Sequence, residues 1–284
     1  MLSQGVVFAL ASMAFAGLND VVFKRYAIKV RSRGMYVLGV GLVWAALQAG
    51  YAWASGTPFR FDEVTVRYGL LAGMLLAGAN LLLIEGLAHV NVSLGSTVYR
   101  LNTIAVVVLS VLLLGERLPL PKLGGVVLGV ASVLLLYRGG QGGGAGALKF
   151  FWLVVLAALL RAGYGVLSKL GLLAAADLNT LILLAALCWV VGGAVYAHFV
   201  EGRLRITGKK VGYSLLSGLL VFCIVNALIL GLQREQASIV VPLANMSFII
   251  ALVISVLSGA ERLDLRKLAA MGLAAASIVL LSMT

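Results

Sequence analysis

Three ionised residues, Asp20, Arg100 and Arg161, each lie inside a long apolar run of the chain. If such a run crosses a bilayer, a charge near its centre costs about 2.5–3.5 kcal/mol on insertion scales, so it must face the protein interior or water. An arginine in that position can take a carboxylate through two parallel N–H···O bonds. It can equally hold two helices together as a permanent salt bridge, and the sequence leaves both roles open. Asp20 and Arg161 fall at similar depth, which allows them to pair; a pair that opens would receive the ammonium and carboxylate of a zwitterion. Arg100 is at similar depth to Asn80. Tyr99, Asn102, Ser96, Thr97, Asn245 and Ser247, with Asn19, Tyr164 and Asn226 from other runs, add hydrogen-bonding groups around a candidate cavity. Hydroxyls in membrane helices also bond their own backbone or a neighbouring helix, so each has a structural alternative.

Other candidates stand nearer the run ends. Glu85 can bind a substrate amine, take up a proton or simply sit at the interface, and His89 beyond it has a side chain that titrates near neutral pH. Pro242 lies inside an apolar run, where it removes a backbone hydrogen bond and favours a kink, a candidate hinge. Cys188 and Cys223 both lie in apolar stretches and read as small buried residues, not as a disulfide or zinc framework. There is no HExxH, no GxSxG, no P-loop and no pair of acids in one run, and the 2 histidines are too few for a metal centre. No enzyme activity, cofactor or metal is expected.

The elements that must position these residues follow from composition. The 284 residues are 62% hydrophobic and 11% charged, with mean hydropathy +1.09, where a soluble domain carries about 45–50% apolar and about 25% charged residues. The expected class is an all-α integral membrane protein. Apolar runs at 4–27, 34–54, 67–88, 91–114, 121–138, 148–171, 178–200, 211–232, 237–259 and 266–283 give ten candidate transmembrane helices. The first lacks the basic segment of a signal peptide and is expected to be a retained span. A net charge of +12 would raise nucleic acid for a soluble chain. Here the basic residues occupy short connections, so a lipid bilayer and a small-molecule substrate are the expected partners, without nucleic acid.

The chain contains itself twice. LLLGERLPLPKLGG at 112–125 faces LSGAERLDLRKLAA at 257–270, with Glu116 and Glu261, Arg117 and Arg262, and Lys122 and Lys267 separated by 145 positions. The same shift superposes Lys24 on Lys169, Tyr51 on Tyr196, Gly73 on Gly218, Gly86 on Gly231 and Arg100 on Asn245. The expected organisation is a first repeat at 1–139, a Gly-rich linker at 140–147 and a second repeat at 148–284. Five spans per repeat is an odd number, so the second copy enters the membrane upside down and the repeats are inverted. The odd-numbered connections collect most of the basic residues, including Lys24, Arg25, Arg138, Lys149, Arg203, Lys209 and Arg266. The positive-inside bias makes that side cytoplasmic and turns both termini outward. The Glu116–Arg117 and Glu261–Arg262 pairs, at helix ends, are expected to position connections.

The end of each repeat, VLSVLLLGERLPLPKLGGVVLGVASVLLL at 108–136 and VISVLSGAERLDLRKLAAMGLAAASIVLL at 253–281, resembles the ending of EamA domains of the drug/metabolite transporter superfamily. The openings, ALASMAFAGLNDVVFKRYA at 9–27 and VVLAALLRAGYGVLSKLGL at 154–172, are similar to that domain's first helix. The resemblance implies ten helices in two inverted five-helix repeats, and members of this size include YddG-like amino-acid exporters. One departure matters. The small four-helix proton-coupled multidrug members carry a glutamate eight residues before a lysine, where this chain has Ala16 and Arg161.

Inverted repeats imply two halves rocking about a site near the midplane. The expectation is a secondary transporter of the bacterial inner membrane working as a monomer, exporting amino acids, aromatic or of broad range, or related metabolites. The alternatives are a carrier of other organic ions, such as nucleotide sugars or cationic drugs, and a membrane receptor or structural protein.

Overall fold

In hydrocarbon only a helix or a closed barrel satisfies every backbone donor and acceptor. The computed structural model describes residues 2–27, 32–87, 99–136, 147–202, 207–257 and 264–282, and the regular elements among them are all helices. They are α1 (Gln4–Ala27), α2 (Arg33–Ala54), α3 (Glu63–Leu87), α4 (Asn102–Leu114), α5 (Leu120–Leu136), α6 (Ala147–Leu173), α7 (Leu178–Phe199), α8 (Gly208–Arg234), α9 (Ala237–Asn245), α10 (Ser247–Leu257) and α11 (Leu265–Ser282). By length and composition, 7 stretches among the described residues can cross a bilayer: those of α1, α2, α3, α6, α7 and α8, and Ala237–Ile254 running through α9 into α10. Each of the ten runs of the sequence carries helix among the described residues, and seven of these stretches are long and apolar enough there to cross. Helices α4 and α5 have only 13 and 17 residues, and α11 carries Arg266 and Lys267 in its first turn. His89, Ser96, Thr97, residues 140–146 of the linker and the Glu261–Arg262 pair lie outside the described residues. Large apolar side chains such as Leu112, Val127, Trp152 and Val191 stand exposed on outer faces, an apolar exterior that a bilayer covers and water does not.

Carboxylates hold the helix starts. Asp177 accepts from Thr180 N at the start of α7 (2.8 Å), and Asp62 accepts from Thr65 N at the start of α3 (2.9 Å). Two starts are held by the opposite half of the chain. Glu201 accepts from Arg33 N (2.6 Å) and Gly34 N (3.2 Å) at α2, and Glu116 accepts from Ala237 N (2.7 Å) and Ser238 N (3.0 Å) at α9. Just before α9, Lys169 Nζ donates to Leu232 O (2.6 Å) and Glu235 O (2.8 Å) at the end of α8. A cation at a helix C-terminus and an anion at the next N-terminus both match the backbone dipoles. Glu116 thus positions a connection, as expected of it.

Packing joins the halves. The most extensive interfaces pair α3 with α6, α2 with α7, α1 with α8, α3 with α7 and α5 with α11, each taking one helix from either half. The contacts exchange under the 145-residue shift. A Cβ at Gly73 would meet Ala185 and Cys188, while one at Gly218 would meet the equivalent Val40 and Val43. Ser132 Oγ donates to Ala270 O (2.7 Å), and Ser277 Oγ donates to Gly125 O (2.5 Å), the same bond seen from the other half. Trp44 meets its own equivalent, Trp189, edge-on at 5.9 Å. Such reciprocity is what a two-fold relation between the halves produces. Along the α2–α7 seam Gly34 meets Ala197, Gly41 meets Val190 and Leu38 meets Gly193. One number rises as the other falls, so the equivalent helices run antiparallel where they touch.

Both halves interrupt a helix at the same register. Met246 separates α9 from α10, with Ile249 N donating to Met246 O, and in the first half Ile104 N donates to Leu101 O, both at 3.0 Å. Pro242, the expected kink, lies within α9 and the break falls beyond it. Threonine, not proline, occupies the equivalent position 97, so proline is not what sets the break.

A Cβ at Gly193 would lie 2.4 Å from Leu38 N and 2.8 Å from Leu38 Cα. Gly193→Val should therefore destabilise by about 1–3 kcal/mol, as overpacking does, read as a lower melting temperature in detergent, whereas Gly50→Ala, with nothing within 4 Å, should not. At Asp62 the Thr65 backbone bond, first among several causes, holds the carboxyl below its ordinary value of 3.8. A depressed carboxylate stabilises above its unfolded pKa and ceases to as pH falls through the folded one. The melting difference between the wild type and Asp62→Ala should accordingly shrink as the pH falls into the acid range.

Candidate functional site

The broken helices create the site. At Met246 the regular ladder stops, and the carbonyl of Asn245 accepts from Arg100 Nη1 (2.9 Å). The same nitrogen donates to Ser247 Oγ (3.2 Å), and Nη2 donates to Asp20 Oδ2 (3.0 Å). Ser247 Oγ donates to that same carboxylate oxygen (3.1 Å). Asn245 Nδ2 donates to Asn102 Oδ1 (2.5 Å) and Thr103 Oγ1 (3.2 Å). Phe248 lies beneath the guanidinium at 5.2 Å. Because Arg100 is equivalent to Asn245 and Asn102 to Ser247, the Arg100–Ser247 and Asn245–Asn102 bonds are one contact seen twice, and the cluster sits where the halves exchange. Of these residues, Arg100, Thr103, Asn245 and Phe248 line a narrow pocket with Val126, Gly129 and Pro242.

Arg161 does not join Asp20, contrary to the pairing expected from depth. Depth fixes the level, but helix neighbours fix the azimuth: α1 packs against α8, α9 and α10, while α6 packs against α3 and α4. Asp20 therefore meets Ser247 and Arg100, and Arg161 faces the Tyr99 ring, 6.0 Å from its centroid. Among the described residues Arg161 has no carboxylate partner. Near this pair of arginines, Asn19 Oδ1, Tyr99 OH and Asn102 Nδ2 are buried without a hydrogen-bond partner, as are Tyr164 OH and Ser168 Oγ on the helix of Arg161.

Two candidates stand apart. Asn80 does not contact Arg100, and its Nδ2 donates to Leu76 O of its own helix (2.8 Å). Glu85 belongs to a different cluster at the ends of α2, α3 and α7, where Tyr196 OH donates to it (2.5 Å) and Arg33 Nη1 lies 3.8 Å away. A further polar network was not anticipated from sequence. Fully buried Gln48 donates to Asn179 Oδ1 (3.0 Å) and accepts from Asn226 Nδ2 (2.8 Å). Its signal was a glutamine in an apolar run, overlooked beside the charges.

Two stretches of the chain, residues 3–138 and 148–283, match the model of the EamA-like transporter family. No curated protein matches the chain. A crystal structure similar to it has a TM-score of 0.85 at 15% identity, covering 99% of this chain and 96% of that one, a likeness of fold.

Arg100→Gln uncovers the Asn245 carbonyl and leaves Asp20 unpaired, so it should cost about 1–3 kcal/mol of stability. Arg161→Gln, which breaks no ion pair among the described residues, should leave the melting temperature in detergent nearly unchanged. Equal losses from both would place Arg161 in the framework.

Proposed function

Because this chain belongs to the EamA-like transporter family, we propose that it is a secondary carrier of small carboxylate-bearing metabolites, with YddG-like export of amino acids as the first activity to test. It works by alternating access across a bacterial inner membrane, as a monomer, between two inverted five-helix repeats, 1–139 and 148–284, with both termini on the non-cytoplasmic side. Antiparallel contact of equivalent helices, as at Gly34–Ala197 and Gly41–Val190, supports the inversion. One observation carries the substrate reading: a guanidinium in the middle of α6, without an ion pair among the described residues, beside buried unpartnered hydroxyls.

Asn19, Tyr99, Asn102, Arg161 and Tyr164 are the proposed substrate groups. Asp20, Arg100, Asn245 and Ser247 form the bonded floor beside them. Pro242 leads into the interruption at Met246, a place where the backbone has fewer bonds to break when the halves move. Glu85, bonded to Tyr196 and near Arg33, ties three helix ends that must separate if that side opens.

In proteoliposomes Arg161→Ala should lower flux of carboxylate-bearing substrates at least tenfold with near-normal protein abundance. Absence of flux across a broad panel of metabolites would reject the carrier. The topology has its own test in a background lacking Cys188 and Cys223: single cysteines at Ser55 and Val200, which end equivalent helices, should label from opposite faces of the membrane, and labelling from one face would refute inversion.

A further inference from the structure

The charges at this site do not cancel. Arg100 is neutralised by Asp20 at 3.0 Å, and Ser247 Oγ bonds the same Oδ2. Arg161 remains, one positive charge with no counter-ion among the described residues. Around it stand groups with hydrogens to give. Tyr99 OH is buried without a partner. So are Tyr164 OH, on a side chain 2% exposed, and Ser168 Oγ, on a residue 0% exposed. Tyr164 and Ser168 follow Arg161 at the three- and seven-residue spacing of one helix face. A fork of guanidinium N–H groups flanked by hydroxyls matches the oxygens of a carboxylate.

An amino acid brings an ammonium as well, and that group finds no uncommitted counter-charge at this site among the described residues. The charge of Asp20 is met by Arg100, and Glu85 is held in the separate cluster with Tyr196 and Arg33. A cation entering beside Arg161 would meet a net positive interior in a low-dielectric setting, where like charges repel strongly.

We infer that the preferred cargo is an organic monocarboxylate without an α-ammonium group, such as a 2-oxo acid, rather than the zwitterionic amino acid of the same skeleton. The inference rests on the carrier reading above and narrows its substrate class. Carried alone, such an anion moves one negative charge per cycle. At about 2.3 kcal/mol per charge per 100 mV, a potential of about 60 mV, inside positive, accumulates it about tenfold.

The test uses the full-length protein in valinomycin-clamped proteoliposomes, comparing labelled phenylpyruvate with phenylalanine and labelled pyruvate with alanine. The expected result is oxo-acid uptake at least tenfold faster than that of the matching amino acid, driven by an inside-positive potential and lost in Arg161→Gln. Arg161→Lys, which keeps the charge without the fork, should retain potential dependence with weaker apparent affinity, and it serves as the second variant should the glutamine form fail to fold. Equal or faster amino-acid flux overturns the inference and leaves the carrier intact. If neither member of either pair moves while another solute class does, the carboxylate reading itself falls along with the inference.

Discussion

A helix interrupted inside hydrocarbon exposes backbone groups that no water is there to satisfy, and this constraint organises the interior of the protein. The interruption at Met246 is tolerable because it is buried in protein and because Arg100 reaches from the other half to take the Asn245 carbonyl. That single bond fixes much else. Arg100 then requires a counter-charge, which Asp20 provides, and Ser247 bridges both. Asn245, its carbonyl occupied, turns its amide to Asn102 and Thr103. The polar centre is thus the answer to a backbone problem before it is anything else.

The halves meet through small residues and reciprocal bonds. Glycines at 34, 41 and 193 bring α2 and α7 so close that an added Cβ would strike backbone, and the serine-to-carbonyl bonds of α5 and α11 repeat across the seam. The framework is therefore nearly symmetric while its charges are not. Asp20 faces Gly165 in the alignment of the halves, and Arg161 faces Ala16. Symmetry supplies the frame, and the departures from it supply the chemistry.

Much of this was legible in the sequence. The doubled Glu-Arg-Leu segment gave the offset that the contacts obey, and Arg100 with Asn245 marked the crossing of the halves. The capping role of Glu116 followed from its place at a helix end. The partner of Asp20 did not follow, because residue numbers fix depth along a helix but not which neighbours surround it. Depth pointed to Arg161, and helix packing brought Arg100 to Asp20 instead. The interruption at Met246 was not legible for a related reason. Proline advertises a lost bond locally, yet the break recurs at Leu101 in a half that has threonine at the equivalent position. The Gln48 network was missed because uncharged amides that bond one another leave no trace in charge patterning.

Seam reciprocity has a consequence for how such a molecule diversifies. An assembly of two identical chains must install every side chain twice, so one lone guanidinium in its centre is arithmetically impossible. Tandem joining of the two units within a single polypeptide removes that restriction. A cation can enter one lobe and a carboxylate the other at unmatched positions, and the interior acquires a polarity that no homodimer could hold.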